Sequence, residues 1–370
     1  MSTLSSFGRL PKVSSRKEYM DYLEGIMYAE MTEEEEELEV ERRGKPPELK
    51  SYLVESNGLL QSTIQSSELH GQIEDTGVSD IKILNLSSGS HSAGFYLDLK
   101  DKRFLVLHTG DLAEDTHRLI KELTYSPEYL LDRAWIPTHM LQDISKLPGN
   151  QFNGFGLQYL DVFAPTEESD ELDITASGNI ADRALTAVMS ESALRRSLSY
   201  TKTRIRRGTP LNYAKDDLMW DGTLSVRSGK SIDDHIALVE ETRTRYKDLV
   251  EGIEKYRLTA KEVEGTRHLG GRAFNLTFDR TIDDLESFLD RLLNPGSAFR
   301  LWGIKSKIDA NYYQVLALDL HTDGQMDLEI STNLMRVYLP AAACGNSLLR
   351  LFVNLQRYFD SRTRCEEIFS

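Results

Sequence analysis

The feature that most constrains this chain is how its candidate strands are joined. Gly94-Phe-Tyr-Leu-Asp-Leu99 and Phe104-Leu-Val-Leu-His108 are separated only by Lys100-Asp-Lys-Arg103. A parallel crossover needs about a dozen residues or more, so such neighbours must pair antiparallel. Ile81-Lys-Ile-Leu-Asn-Leu86 adds a third strand before them, and later strands at Phe155–Phe163 and Leu172–Ala176 are closely spaced too. The basic segment Ser199–Arg207 and the stretch beginning at Gly222 follow, then strands at Arg272–Phe278, Phe299–Ile308, Tyr312–Leu320 and Met326–Leu339.

Helical spacing alternates with these strands. It predicts helices at Leu112–Leu123, Ile180–Met189, Ile232 to about Leu258, Ile282–Leu293 and Ser347–Phe359. Three starts look like capping boxes: Asp111–Glu114, Ser231–Asp234 and Thr281–Asp284. Strands feeding helices through short turns specify an α+β class. The expectation is two to three modules of antiparallel sheet with helices packed on one face, ferredoxin-like or saddle-like.

At 370 residues the chain exceeds one ordinary core. The natural divisions are 1–50 (a helix at Lys17–Met31, then an acidic linker from Glu33), 51–148, 149–265 with the long helix, and 266–370. A hydrophobic share of 40% beside 28% charged residues suits a folded globular protein. No apolar run approaches the roughly 18 residues that span a bilayer, and the N-terminus lacks a secretory pattern. Cys344 and Cys365 are too few for a disulfide framework. Two free thiols in a reducing cytoplasm are expected.

Catalytic signatures are missing. There is no Gly-x-Ser-x-Gly elbow, no Walker loop and no His-Glu-x-x-His pair. The glycine-rich stretch Gly149–Gly156 leads into a strand, and Ser228-Gly-Lys-Ser231 lacks the first glycine of a phosphate loop. No Ser-His-Asp combination has local support: His235 reads as a helix-start residue and His321 as a turn residue. Neither a catalytic set nor a cofactor site is therefore expected. The densest group of potential ligands is Asp98, His108, Asp111 and Asp115, which supplies the alternative of a metal-dependent hydrolase.

Ser199-Tyr-Thr-Lys-Thr-Arg-Ile-Arg-Arg207 stands out because the whole chain carries a net charge of −15. As a strand it sets Lys202, Arg204 and Arg206 on one face, roughly 7 Å apart, a spacing that follows successive phosphates. Arg195, Arg196 and Arg207 flank that face, Tyr200 offers a stacking ring, and Arg227 extends the patch if its strand pairs alongside. The opposite reading is an exposed face neutralised by neighbouring carboxylates. A second surface is the C-terminal helix, apolar on most sides through Leu348, Leu351, Phe352 and Leu355, which suits a protein partner or self-association. Together these predict a non-catalytic binding or adaptor subunit that contacts nucleic acid or an acidic protein surface. A purely structural oligomer is the remaining alternative. The deciding observation is whether Lys202, Arg204 and Arg206 share an exposed face with Arg227.

Overall fold

The structure is a computed structural model that describes residues 10–27, 49–58, 63–65, 69–163, 171–191, 198–263 and 265–369. The acidic linker from Glu33 and the residues Arg195 and Arg196 lie outside the described residues. In chain order the first elements are α1 (Arg16–Met27), β1 (Lys50–Ser56), β2 (Thr63–Gln65), β3 (Leu69–Asp75), β4 (Ile81–Ser88), β5 (His91–Asp98), β6 (Phe104–Thr109) and α2 (Ala113–Tyr125). Then come β7 (Leu131–Arg133), α3 (Thr138–Ile144), β8 (Asn150–Leu160), β9 (Glu171–Ser177), α4 (Ala181–Ser190), β10 (Ser199–Gly208), β11 (Tyr213–Met219), β12 (Thr223–Gly229) and α5 (Ile232–Glu254). The last are β13 (Thr259–Val263), β14 (Thr266–Gly270), β15 (Phe274–Thr277), α6 (Leu285–Leu292), β16 (Leu301–Asp309), β17 (Tyr312–Asp319), β18 (Gln325–Ser331), β19 (Leu334–Tyr338), α7 (Gly345–Tyr358) and α8 (Glu366–Phe369). The class is mixed α+β with antiparallel sheets and helices, as the short connections require. Among the described residues no helix is long and apolar enough to cross a membrane.

The chain clusters into two compact units, each assembled from separated stretches. In the first (1–133, 147–151 and 205–243), strands follow the order β2-β3-β4-β5-β6-β1-β12-β11. β1 lies at the centre. Its Lys50–Tyr52 half pairs with β12, its Val54–Ser56 half pairs with β7, and β6 runs along its other side. One face of this sheet is covered by Leu119, Ile120 and Leu123 of α2, which pack on Tyr52, Val54, Phe95, Leu105 and Leu107. On the other face Tyr19 and Leu23 of α1 join Ile81, Ile83, Tyr96, Val226 and Ile232. Each large apolar side chain removed from water in these layers contributes about 1.5–3 kcal/mol. With both faces covered, all of β1 and β6 is buried, polar residues included.

The second unit (134–146, 152–204 and 244–370) holds a five-stranded antiparallel sheet in the order β15-β19-β18-β17-β16. Its strands alternate cleanly. Tyr313, Val315 and Ala317 of β17, Met326, Leu328 and Ile330 of β18, and Met335 and Val337 of β19 are buried. Their neighbours point the other way. The stretch Met326–Leu339, expected as one strand, is a hairpin: Thr332 and Asn333 turn the chain between β18 and β19. β13 and β14 form a separate two-stranded ribbon.

α7 corrects the expectation of an interface helix. Every residue from Gly345 to Arg357 is buried, so the helix is apolar on most sides because the chain itself surrounds it. Its polar residues are bonded internally. Asn346 accepts from the Tyr246 hydroxyl, Arg350 pairs with Asp319, and Asn354 Nδ2 donates to the Ala298 carbonyl at 2.9 Å. Two caps also differ from the capping-box reading. Asp111 accepts from the Gly94 amide at 2.7 Å and leaves α2 without a side-chain cap. Asp284, and not Thr281, caps α6, accepting from Glu286 and Ser287.

Candidate functional site

β10 forms where the basic segment predicts it, and its alternation holds: Thr203 and Ile205 are buried, while Lys202, Arg204 and Arg206 are half-buried. The glycine-rich stretch before it acquires a reason here. A Cβ on Gly156 would lie 2.8 Å from Lys202 Cγ, and one on Gly154 would lie 3.1 Å from Arg204 Cβ. The two glycines make room for these side chains to lie across β8. Arg206 stacks its guanidinium 4.3 Å over the Tyr213 ring and donates to the Thr209 carbonyl at 2.9 Å. Arg207 Nη1 donates to Glu241 at 2.9 Å and to Asn150 at 3.1 Å. Arg227 Nε lies 3.6 Å from Asp217. Tyr200 is buried beside Phe155 with ring centroids 6.4 Å apart, so its ring is not offered for stacking. Arg207 and Arg227 thus already have carboxylate partners, and the patch is partly neutralised by its own surroundings.

The ligand cluster disperses. Asp98 lies 3.5 Å from Arg243 Nη1, Asp111 bonds the Gly94 amide, and Asp115 takes His91 Nδ1 at 2.5 Å. Among the described residues, no group of three or more His, Cys, Asp or Glu is arranged to hold a metal ion. Both cysteines are free and buried.

His108 instead belongs to a constellation that includes one residue read differently in the sequence, His235, and two not singled out at all, Ser51 and Asp216. Ser51 on β1 lies opposite His108 on β6 in register. Its Oγ is 2.8 Å from His108 Nδ1 and 2.8 Å from His235 Nε2. His235, near the start of α5, places Nδ1 2.7 Å from Asp216 Oδ1 on β11. A carboxylate only accepts, so Asp216 fixes the proton of His235 on Nδ1 and leaves Nε2 as an acceptor. Ser51 therefore donates to His235, and His108 Nδ1–H donates to Ser51. The chain of donors runs one way: His108, Ser51, His235, Asp216.

All four side chains are buried, Ser51, His235 and Asp216 completely. Burial holds His108 down to about 3, with His235 and the charge of Arg243 acting in the same direction. Tyr19 of α1 covers the group, its ring edge-on to His108 at 6.1 Å. Three buried polar atoms nearby have no hydrogen-bond partner: Tyr19 Oη, Asp216 Oδ2 and Arg243 Nη1. Burial and the negative charge of Asp98 raise the Tyr19 hydroxyl well above its ordinary value. The distances match those of a serine nucleophile, a histidine base and an orienting carboxylate. Ser51 is wholly buried, out of reach of any substrate.

His235 lies in the first turn of α5 and His321 in the turn after β17, where the sequence puts them, and both are buried rather than on the surface. No local signal marks Ser51, because no catalytic pattern surrounds it in Lys50-Ser-Tyr-Leu-Val-Glu-Ser56.

The second unit presents a different surface. On the open face of its sheet Trp302, Ile304 and Leu316 are 48%, 58% and 56% exposed. They adjoin through the register, Ile304 opposite Leu316 and Trp302 opposite Leu318. Ile308 continues the exposed apolar row along β16. Next to them Asp327 faces Leu316 on β18, and its Oδ1 is buried without a hydrogen-bond partner. Glu329, one step further, is engaged by Arg336 at 3.3 Å.

Against known proteins, the sequence matches the MJECL33-like protein family over residues 9–368. The chain belongs to that family. It is 23% identical over 412 aligned positions to the uncharacterized protein MJECL33 of Methanocaldococcus jannaschii, covering 99% of this chain and 97% of that protein.

Proposed function

We propose that this protein is a cytoplasmic binding or adaptor subunit that docks a protein partner on the open face of its five-stranded sheet. The observation that carries this reading is the contiguous exposed apolar row of Trp302, Ile304 and Leu316. Scattered surface hydrophobics need no explanation, but three large ones on one face of two paired strands, with Ile304 opposite Leu316 and Trp302 two residues along from Ile304, support an interaction surface. Trp is also the residue most favoured as an interface anchor.

The face, and not the edge, is the docking element. β16 is an outer strand of its sheet, yet it carries Lys305 and Lys307, and cations on an edge strand disfavour addition of a further strand. Asp327 narrows the partner's chemistry. Its unpartnered Oδ1 beside Leu316 asks for a donor, so the partner carries a lysine, arginine or amide at the margin of an apolar ridge. The two free cysteines suit a reducing compartment.

A photo-crosslinking residue placed at position 316 of the full chain, expressed in its own cells, tests the reading. A defined adduct with another protein, lost on Ile304→Glu, is the expected result. No adduct, or an adduct unchanged by that substitution, overturns it, and a product of two copies of this chain replaces the partner with self-association. The nucleic-acid form of the reading rests on Lys202, Arg204 and Arg206. Salt-sensitive binding of DNA or RNA that Glu at these three positions abolishes would move the docking surface back to β10.

A further inference from the structure

We propose that Ser51 is a covalent nucleophile in a serine-histidine-aspartate site, closed in this state by Tyr19 of α1, whose substrate class is a carboxylic ester. The inference is independent of the docking face. It stands on geometry: Ser51 Oγ to His235 Nε2 at 2.8 Å and His235 Nδ1 to Asp216 Oδ1 at 2.7 Å. The roles are fixed by the carboxylate, which holds His235 in the tautomer that accepts the serine proton. A network that only filled a core would be expected to satisfy its own members. This one leaves Asp216 Oδ2 without a hydrogen-bond partner, and Tyr19 Oη, on the ring beside His108, is without one too, although both residues are more than nine-tenths buried.

Each part has a task in acyl transfer. Ser51 Oγ bonds to the ester carbonyl carbon while its proton passes to His235 Nε2. The C–O bond to the alcohol breaks, and the alcohol leaves with that proton. Water then adds to the acyl-serine, gives its proton to His235, and the acid departs as Ser51 recovers the proton. Arg243, whose charge reaches His108, is itself held by Glu240 through Nη2 and by Asp98 at 3.5 Å from Nη1. His108 donates to Ser51 Oγ and holds the hydroxyl in line.

The cover is a single helix. Tyr19 and Leu23 are the buried residues of α1, with Met20, Tyr22, Ile26 and Met27 half-buried against the same core, so the cover opens only if the helix gives up these contacts together or loses the Tyr19 ring. Tyr19 is also the ring that seals His108. Removing it opens space directly over the constellation while the remaining helix contacts persist.

The experiment treats the full-length protein with a fluorophosphonate probe and maps the adduct by mass spectrometry. The serine oxygen takes the phosphorus, the P–F bond breaks, fluoride leaves, and the proton goes to His235. Tyr19→Ala is expected to accelerate modification of Ser51 on the order of tenfold or more over the native chain. Adding His235→Gln should return it to the unactivated rate, and adding Ser51→Ala should leave no adduct. Circular dichroism establishes that each variant is folded. Leu23→Ala and native protein in sub-denaturing urea open the same cover if Tyr19→Ala does not fold. Ser51 left unmodified under every opened condition overturns the proposal, as does modification that His235→Gln does not slow.

Discussion

Strands β1 and β16 invert one another. β1 reads Lys-Ser-Tyr-Leu-Val-Glu-Ser, and every residue of it is buried. β16 reads Leu-Trp-Gly-Ile-Lys-Ser-Lys-Ile-Asp, yet Trp302, Ile304 and Ile308 are exposed. By composition alone the two should change places. The difference shows what decides burial in an α+β protein. A central strand with helices on both faces buries whatever it carries, and its polar groups must then find directional partners. Ser51 finds two histidines, Glu55 takes Arg103 at 2.7 Å, and Lys50 donates to the Asp111 carbonyl. An outer strand with one open face leaves its apolar residues in water until something covers them.

The largest test of that contrast strikes the buried constellation. Asp216→Ala removes the acceptor of His235 Nδ1 and leaves a buried polar group unpaired, which costs about 3 kcal/mol. Urea denaturation of the variant against the native protein reads it directly. A loss below ~0.5 kcal/mol would mean that water replaces the carboxylate, and that β1 is not the dry interior described here.

Acid should weaken the same region next. His108 is held at about 3 in the fold, against 6.5 for the free side chain. A lowered folded value means that the unfolded chain binds the proton first. The contribution is therefore complete above pH 6.5 and lost as the pH falls through that window toward 3. The limiting slope is about 1.4 kcal/mol for each pH unit. His139, held at about 4 by burial, adds a similar fall in the second unit. Stability measured from pH 7 to pH 5 should drop accordingly, and His108→Gln should remove part of the slope. A native and a His108→Gln protein with equal slopes would refute the assignment.

How much of this was legible in the sequence follows from the same physics. β4, β5, β6, β16, β17 and α5 were readable because their patterns are local: alternation, helical spacing and short connections. The basic strand was readable as a strand, and its charge as charge. Its partners were not, since Glu241 and Asp217 approach Arg207 and Arg227 only in three dimensions. Ser51, His108, Asp216 and His235 come from four elements, with sequence separations up to 184 between bonded partners. No window of sequence contains them. α7 reads as an interface in the sequence because an all-round apolar helix looks alike whether its cover is its own chain or a second protein.

A smaller effect tests whether the basic strand is neutralised. Arg207 and Glu241 are each about a quarter exposed, so solvent screens the pair, and a double-mutant cycle should give a coupling of about 0.5 kcal/mol. Near-zero coupling would free Arg207 for another anion and strengthen the phosphate-binding reading of β10. A coupling above ~1 kcal/mol would bind the arginine to its own fold.

The smallest effect belongs to the open face, and it sharpens the comparison most. Leu316 on β17 and Leu328 on β18 are the same residue type on strands that pair with each other. Leu328 is 1% exposed and its replacement by Ala should cost about 2–5 kcal/mol through lost transfer energy and a cavity. Leu316 already meets water, so Leu316→Ala should change stability by no more than about 0.5 kcal/mol. Trp302→Ser should do the same, although it deletes one of the largest apolar side chains in the protein. If thermal unfolding instead shows a loss of ~2 kcal/mol for Trp302→Ser, the face is already packed in the folded chain and no partner is needed to cover it. If stability holds while the photo-crosslink from position 316 disappears, the exposed row is retained for docking. Its cost to solubility is then the counterpart, on the outside of the molecule, of the burial cost that the polar residues of β1 carry within.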